Sequence, residues 1–354
     1  MSRVKRLAAW LPDERSAALI TSPLSMRYLC GFLPSDGIML VFKEESILFV
    51  SEAECERLAN HKAGFRICAL KSGKQLLDLL VKYSIKRIYI EADKMTVSEY
   101  NIFKEQLHYA ELDVSEKLPH ALLAMRSVKS GEEIAAIAAA QKICDKVYEK
   151  ILGTARRGMS ERQIASLLSF YLADFGAESA GFPVRVLSGE NTADFSALPS
   201  DRQVRDGDLV IFDFGAKYSG YCARMSRTVA AGEINPRRDN AYNAVSCAIA
   251  DGLKTLRTGI GGKVADSVSR ATLNAWGVDQ YCVTGFASGI GLEPSEPPFL
   301  NQDSSAVLKS GTALSVRVGI SIPGRFGVLI GDMAGLTDDE CVNFTIATRN
   351  LLHI

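Results

Sequence analysis

The chain has 354 residues, 41 Lys+Arg against 41 Asp+Glu, and 47% apolar residues. That length suits two domains, and the zero net charge argues against nucleic acid as a main partner. No apolar run reaches the roughly 18 residues of a membrane span, and the short apolar run near the N-terminus is broken at Pro12, Asp13 and Glu14, which gives no signal-peptide core.

The first third alternates strand-like and helix-like segments. Ala17–Thr21 and Gly37–Phe42 are apolar runs of strand length, and Ser46–Val50 follows a turn-like Lys43-Glu44-Glu45, which predicts a hairpin. Gly73–Tyr83 spaces its leucines as a helix does, and Lys86–Glu91 alternates as a strand. Residues 1–125 therefore read as a compact α/β domain, with the joint expected at Ala124–Lys129.

Residues 126–354 form the second domain. Ser130 with Glu133, and Ser160 with Gln163, are capping boxes that open two helices. A strand is expected at Gly181–Ser188, a hairpin of Asp208–Ala216 and Tyr221–Ala230 joined through Lys217–Gly220, helices at Asn240–Leu256 and Lys263–Trp276, and further strands at Ala313–Ile322, Val328–Met333 and Cys341–Thr345. Helix pairs alternating with antiparallel strands predict an α+β fold. The eight cysteines are scattered without a Cys-x-x-Cys pair and read as reduced thiols of a cytoplasmic protein.

Several motifs follow one another in a specific order. Ser188–Arg202, then Gly207-Asp208-Leu209-Val210 and Asp213-Phe214-Gly215, lead to Tyr221-Cys222 and Ser226-Arg227-Thr228. Gly289-Ile290-Gly291-Leu292-Glu293 and Leu314–Ile322 complete the series. Together they resemble the creatinase/prolidase/aminopeptidase P (Xaa-Pro aminopeptidase) family of pita-bread metallopeptidases. Tyr28-Leu29-Cys30-Gly31-Phe32 with Ser35-Asp36-Gly37 resembles the non-catalytic creatinase-type N-terminal domain of such enzymes. The resemblance implies a C-terminal pita-bread domain preceded by a smaller α/β domain. It also implies two divalent ions held by two Asp, one His and two Glu, sharing a water whose lowered pKa makes it a nucleophile.

Carried over position by position, that ligand set is largely missing. The first metal aspartate falls on Asp213, but the second falls on Arg224, the histidine on Ser288, and the two glutamates on Arg317 and Gly331. Two further histidines of the family pattern fall on Ser196 and Ser295. The four histidines are His61, His108, His120 and His353, so none lies between Ala121 and Leu352. Arginine stays protonated and cannot ligate a metal. A unit-charge pair at about 5 Å and an effective dielectric of about 20 is worth about 3 kcal/mol, and a divalent ion doubles the repulsion.

The sequence therefore predicts no bound metal, no cofactor and no assigned catalytic residue. Two roles for the arginines stay open. Arg224 and Arg317 either plug a dead cavity, paired with Asp213 or Asp332, or receive an anionic group, unless they simply point away. Ser196, Ser295, Glu296 and Asp332 are candidate neighbours of that pocket. The resulting expectation is a non-hydrolytic pseudoenzyme that binds a peptide or small carboxylate. The alternatives are a metal-free creatinase-like C–N hydrolase and an Xaa-Pro peptidase of residual activity. A homodimer is expected by family analogy.

Overall fold

The computed structural model describes residues 1–61 and 64–354, which divide into two compact units, Met1–Arg126 and Ser127–Ile354. In the first, the order is α1 (Arg3–Trp10), β1 (Ser16–Ile20), α2 (Pro23–Cys30), β2 (Ile38–Val41), β3 (Ser46–Val50), α3 (Glu52–Arg57), β4 (Arg66–Ala69), α4 (Lys74–Lys82), β5 (Arg87–Ile90), α5 (Val97–Gln106), β6 (Glu111–Asp113) and α6 (Lys117–Ser127). The strands form one mixed sheet in the order β4-β3-β2-β1-β5-β6. Every residue of β1 and β3 is buried, and Leu76 and Leu80 of α4 pack on Leu19, Leu40, Ile47 and Ile88. Helices α1, α2, α3 and α5 are not among the expected elements, and each starts at a side-chain cap; Ser22 caps α2 and Ser51 caps α3. The Ser2 hydroxyl accepts from the Lys5 N–H to cap α1, and Thr96 with Glu99 forms a capping box for α5. The division at Arg126/Ser127 falls within the joint expected at Ala124–Lys129, and α6 continues through Ser127 before the chain turns.

The second unit opens with α7 (Gly131–Leu152) and α8 (Glu161–Asp174), each started by its capping box. There follow β7 (Ser179–Ala180), β8 (Arg185–Ser188), β9 (Leu209–Phe214), β10 (Ala216–Tyr218), β11 (Tyr221–Cys222), β12 (Met225–Ala230), α9 (Pro236–Thr255), α10 (Gly262–Ala275), β13 (Ala287–Gly289), β14 (Glu296–Leu300), β15 (Ala313–Ile322), β16 (Phe326–Leu336) and β17 (Cys341–Asn343). Helix α9 starts four residues before its expected position, because Asn235 caps it and Pro236 takes the first helical position.

Both arms of the hairpin expected across 208–230 are split. The segments β9 and β12 pair in a large sheet, while β10 and β11 turn away to join β7 in a three-stranded sheet. Gly215 sits at the break, where an added Cβ would lie 2.2 Å from the Ala223 carbonyl oxygen and 2.7 Å from the Phe182 ring. The large sheet runs β14-β13-β15-β16-β12-β9-β8, with β17 also paired to β16.

Alternation along these strands gives the sheet two distinct faces. Val316, Val318 and Ile320 of β15, with Val328 and Ile330 of β16, join Val245 and Ile249 of α9 in one core. The intervening residues, among them Ser315, Arg317 and Gly331, belong to the opposite face.

Candidate functional site

That opposite face carries a row of aligned residues. Arg317 of β15 pairs in register with Gly331 of β16, Gly331 with Ser226 of β12, Ser226 with Asp213 of β9, and Asp213 with Arg185 of β8. Ser288 of β13 lies opposite Ser315, two residues before Arg317. Five positions spread over more than a hundred residues of the chain are thus gathered together: Asp213, Ser288, Arg317 and Gly331 on the strands, and Arg224 just before β12.

Asp213 is the hub of the row. Arg224 grips it with two bonds, Nε to Oδ1 at 3.1 Å and Nη2 to Oδ2 at 2.6 Å. The Ser226 hydroxyl donates to Oδ1 at 2.8 Å, and Arg185 Nη1 stands 3.9 Å from Oδ2. A bidentate guanidinium–carboxylate pair is among the stronger polar contacts a protein makes. Here it is sheltered, with the Asp213 side chain 2% and the Arg224 side chain 13% exposed. Arg224 also lies over the Phe182 ring, 4.3 Å from its centroid.

Arg317 is the exception. Among the described residues, its guanidinium makes no hydrogen bond or ion pair with the protein. Burial first, and then Arg224 and Arg185, push its pKa down to about 10, with Asp213 pulling the other way. Gly331 makes room for it, since an added Cβ there would lie 3.0 Å from both Arg317 Cγ and Ser226 Oγ. Arg317, Ser288, Ser295 and Ser315 line a cavity of about 200 Å³, together with Asn301 and Phe299.

Three candidates do not join this cavity. Asp332 follows Gly331 on β16, so its side chain turns to the other face of the sheet. There it receives Arg227 Nη2 at 2.7 Å and Arg349 Nε at 2.5 Å. The expectation that the arginines pair with Asp213 or Asp332 is thus met by Arg224 on Asp213, and Arg317 is paired with neither. Glu296 accepts from Lys129 Nζ at 2.8 Å in a pair whose side chains are 3% and 1% exposed. Ser196 is exposed and donates to Asp194 Oδ1 at 2.6 Å. The residues left unread were Arg185, Ser226, Ser315 and Asn301.

Among the described residues, no group of three or more His, Cys, Asp or Glu side chains is gathered to hold a metal ion. Eight free cysteines are present. Cys222, next in the chain to the site, has its thiol pushed up to about 11 by burial, and burial takes Cys144 to about 12. Neither is a ready nucleophile. No helix among the described residues is long and apolar enough to cross a membrane.

Comparison with known proteins adds a family context. Residues 135–338 match the model of metallopeptidase family M24, and residues 3–128 match that of the creatinase/prolidase N-terminal domain. The chain is 33% identical to the Bacillus subtilis protein YqhT, described as an uncharacterized peptidase, over 94% of each chain. It is 28% identical to an Xaa-Pro dipeptidase of Pyrococcus furiosus over 99% of each. Among solved structures, the Xaa-Pro dipeptidase from Bacillus anthracis matches with a TM-score of 0.94 at 29% identity over 99% of each chain. The X-Pro aminopeptidase from Thermotoga maritima matches with a TM-score of 0.91 at 26% identity over 100% of each.

Proposed function

The chain belongs to metallopeptidase family M24, with a creatinase/prolidase N-terminal domain before its pita-bread domain, and from that premise we propose that it has exchanged metal-centred peptide hydrolysis for the binding of an anionic ligand. The observation that carries this reading is the grip of Arg224 on both oxygens of Asp213. Asp213 is the one position of the implied ligand set that keeps a carboxylate, and Arg224 and Ser226 already occupy its oxygens.

A dinuclear centre needs several anionic or neutral donors around each ion. The row offers one carboxylate against the guanidiniums of Arg185, Arg224 and Arg317, an excess of positive charge where divalent cations would have to settle. The residues present do not suit such a centre. Metal-free hydrolysis is no better served. A serine nucleophile needs a base within hydrogen-bond reach, yet residues 121–352 contain no histidine. What the same charge balance does suit is an anion.

The relatives named Xaa-Pro dipeptidase set the test. The purified full-length chain is incubated with Ala-Pro and other Xaa-Pro dipeptides in manganese or cobalt, beside an active prolidase. No turnover above the no-enzyme control is the expected result. Cleavage that a chelator abolishes would overturn the reading.

A further inference from the structure

Resting on that reading and narrowing it, we propose that the Arg317 cavity binds a small free hydroxycarboxylic acid, its carboxylate on Arg317 and its hydroxyl groups among Ser288, Ser295, Ser315 and Asn301. A peptide is not the ligand this cavity fits. Its volume of about 200 Å³ lies below the roughly 300–1,000 Å³ of pockets that enclose drug-sized ligands.

The side chains around the cavity are ready for such a guest. Arg317 is a half-buried cation that makes no hydrogen bond or ion pair with the protein among the described residues, and a charge withdrawn from water is costly until it is paired. Asp213 cannot serve it, because Arg224 and Ser226 hold its oxygens. The hydroxyls of Ser288, Ser295 and Ser315 likewise make no hydrogen bond to the protein among the described residues. Asn301 has its carbonyl oxygen occupied by the Asp303 N–H at 3.0 Å, which leaves its amide group as a donor. One charged planar fork ringed by neutral hydroxyl and amide groups is the complement of one carboxylate ringed by hydroxyls.

The same inventory disfavours phosphate. A phosphate monoester carries a charge near −1.5 to −2 at neutral pH. It calls for further charge-assisted donors, and Arg224 and Arg185 are already turned to Asp213.

Calorimetric titration and thermal shift of the full-length protein test the assignment. The probes are sodium lactate, glycerate, acetate, phosphate and chloride at equal ionic strength. Lactate and glycerate are expected to bind and to raise the melting temperature, acetate to bind more weakly, and phosphate and chloride to have no effect. Arg317→Lys keeps the charge but loses the fork, and should weaken lactate about tenfold or more. Ser288→Ala and Ser315→Ala should each weaken glycerate by up to about tenfold while leaving acetate nearly unchanged. Circular dichroism of each variant verifies folding. Binding of phosphate alone, absence of binding by every acid, or lactate binding unaltered in folded Arg317→Lys would overturn the assignment. If no acid binds and no metal-dependent cleavage is found either, this inference fails while the reading beneath it stands. Chelator-sensitive Xaa-Pro cleavage would instead overturn that reading.

Discussion

Arg224, in the break between β11 and β12, and Asp213 of β9 lie eleven positions apart, and they meet as a bidentate pair with bonds of 3.1 and 2.6 Å. The pair satisfies the carboxylate and neutralises one of three neighbouring guanidiniums; Arg185 keeps only a 3.9 Å approach to the same carboxylate, and Arg317 has no ion pair among the described residues. That division of charge governs how substitutions at the site should behave.

Removing the carboxylate should cost more than removing the pair. Asp213→Asn leaves Arg185, Arg224 and Arg317 facing one another in a sheltered row and is expected to destabilise by about 3 kcal/mol or more. Asp213→Asn combined with Arg224→Met should recover much of that loss, because no unpaired charge is then buried beside Phe182. Chemical denaturation of the two single variants and the double variant gives the coupling. Strict additivity would mean that the pair contributes nothing.

On the other face of the sheet, Arg227 and Asp332 should matter for stability and not for ligand binding. Arg227 has 0% side-chain exposure and bonds to Asp332 and to the Gly331, Ala347 and Thr348 carbonyls. Arg227→Met is expected to cost about 3–5 kcal/mol, because Asp332 keeps only Arg349 and the Gly331, Ala347 and Thr348 carbonyls lose their donor. Ser196→Ala, on an exposed loop, should stay within about 0.5 kcal/mol of the parent. Melting curves of both variants provide the contrast.

Gly331 should resist even alanine. Its added methyl group would meet Arg317 Cγ and Ser226 Oγ at 3.0 Å each, so Gly331→Ala is expected to cost about 1–3 kcal/mol. It should also move Arg317 within the cavity and weaken anion binding, which titration of the variant would detect. A variant as stable and as competent as the parent would contradict this packing.

Acid should loosen the loop that follows β8. A hydrogen bond from Arg202, assisted by its charge, holds the Glu190 carboxyl down from 4.5 to about 2. Since the folded state lowers this pKa, the stabilisation is fully present above about pH 4.5 and is lost as pH falls toward 2. Glu190→Gln should flatten that part of the stability–pH curve, as read by denaturation between those limits. The effect should be modest, because the Glu190 side chain is 58% exposed.

Much of this was legible in the residues themselves. Ser130 with Glu133, and Ser160 with Gln163, announced α7 and α8 because a capping box is a local signal. The order of motifs located Asp213, Arg224, Ser288, Arg317 and Gly331 before any strand pairing was known. The alignment of Arg185, Ser226 and Ser315 with them was not legible, since cross-strand register is set by contacts distant in sequence. Asp332 was misplaced for a reason the sequence does contain. Gly331 and Asp332 are neighbours on one strand, and neighbours on a strand face opposite ways. The same alternation places Arg227 away from Ser226. The splitting of both hairpin arms was hidden because Gly215 at the break reveals its crowding by Ala223 and Phe182 only in three dimensions.

The most direct test is elemental analysis of the full-length protein after equilibration with manganese, cobalt or zinc and removal of free ion. The arrangement of Arg185, Arg224 and Arg317 around Asp213 predicts metal far below one ion per chain, unchanged in Asp213→Asn. A stoichiometric pair of ions, lost in Asp213→Asn, would contradict it.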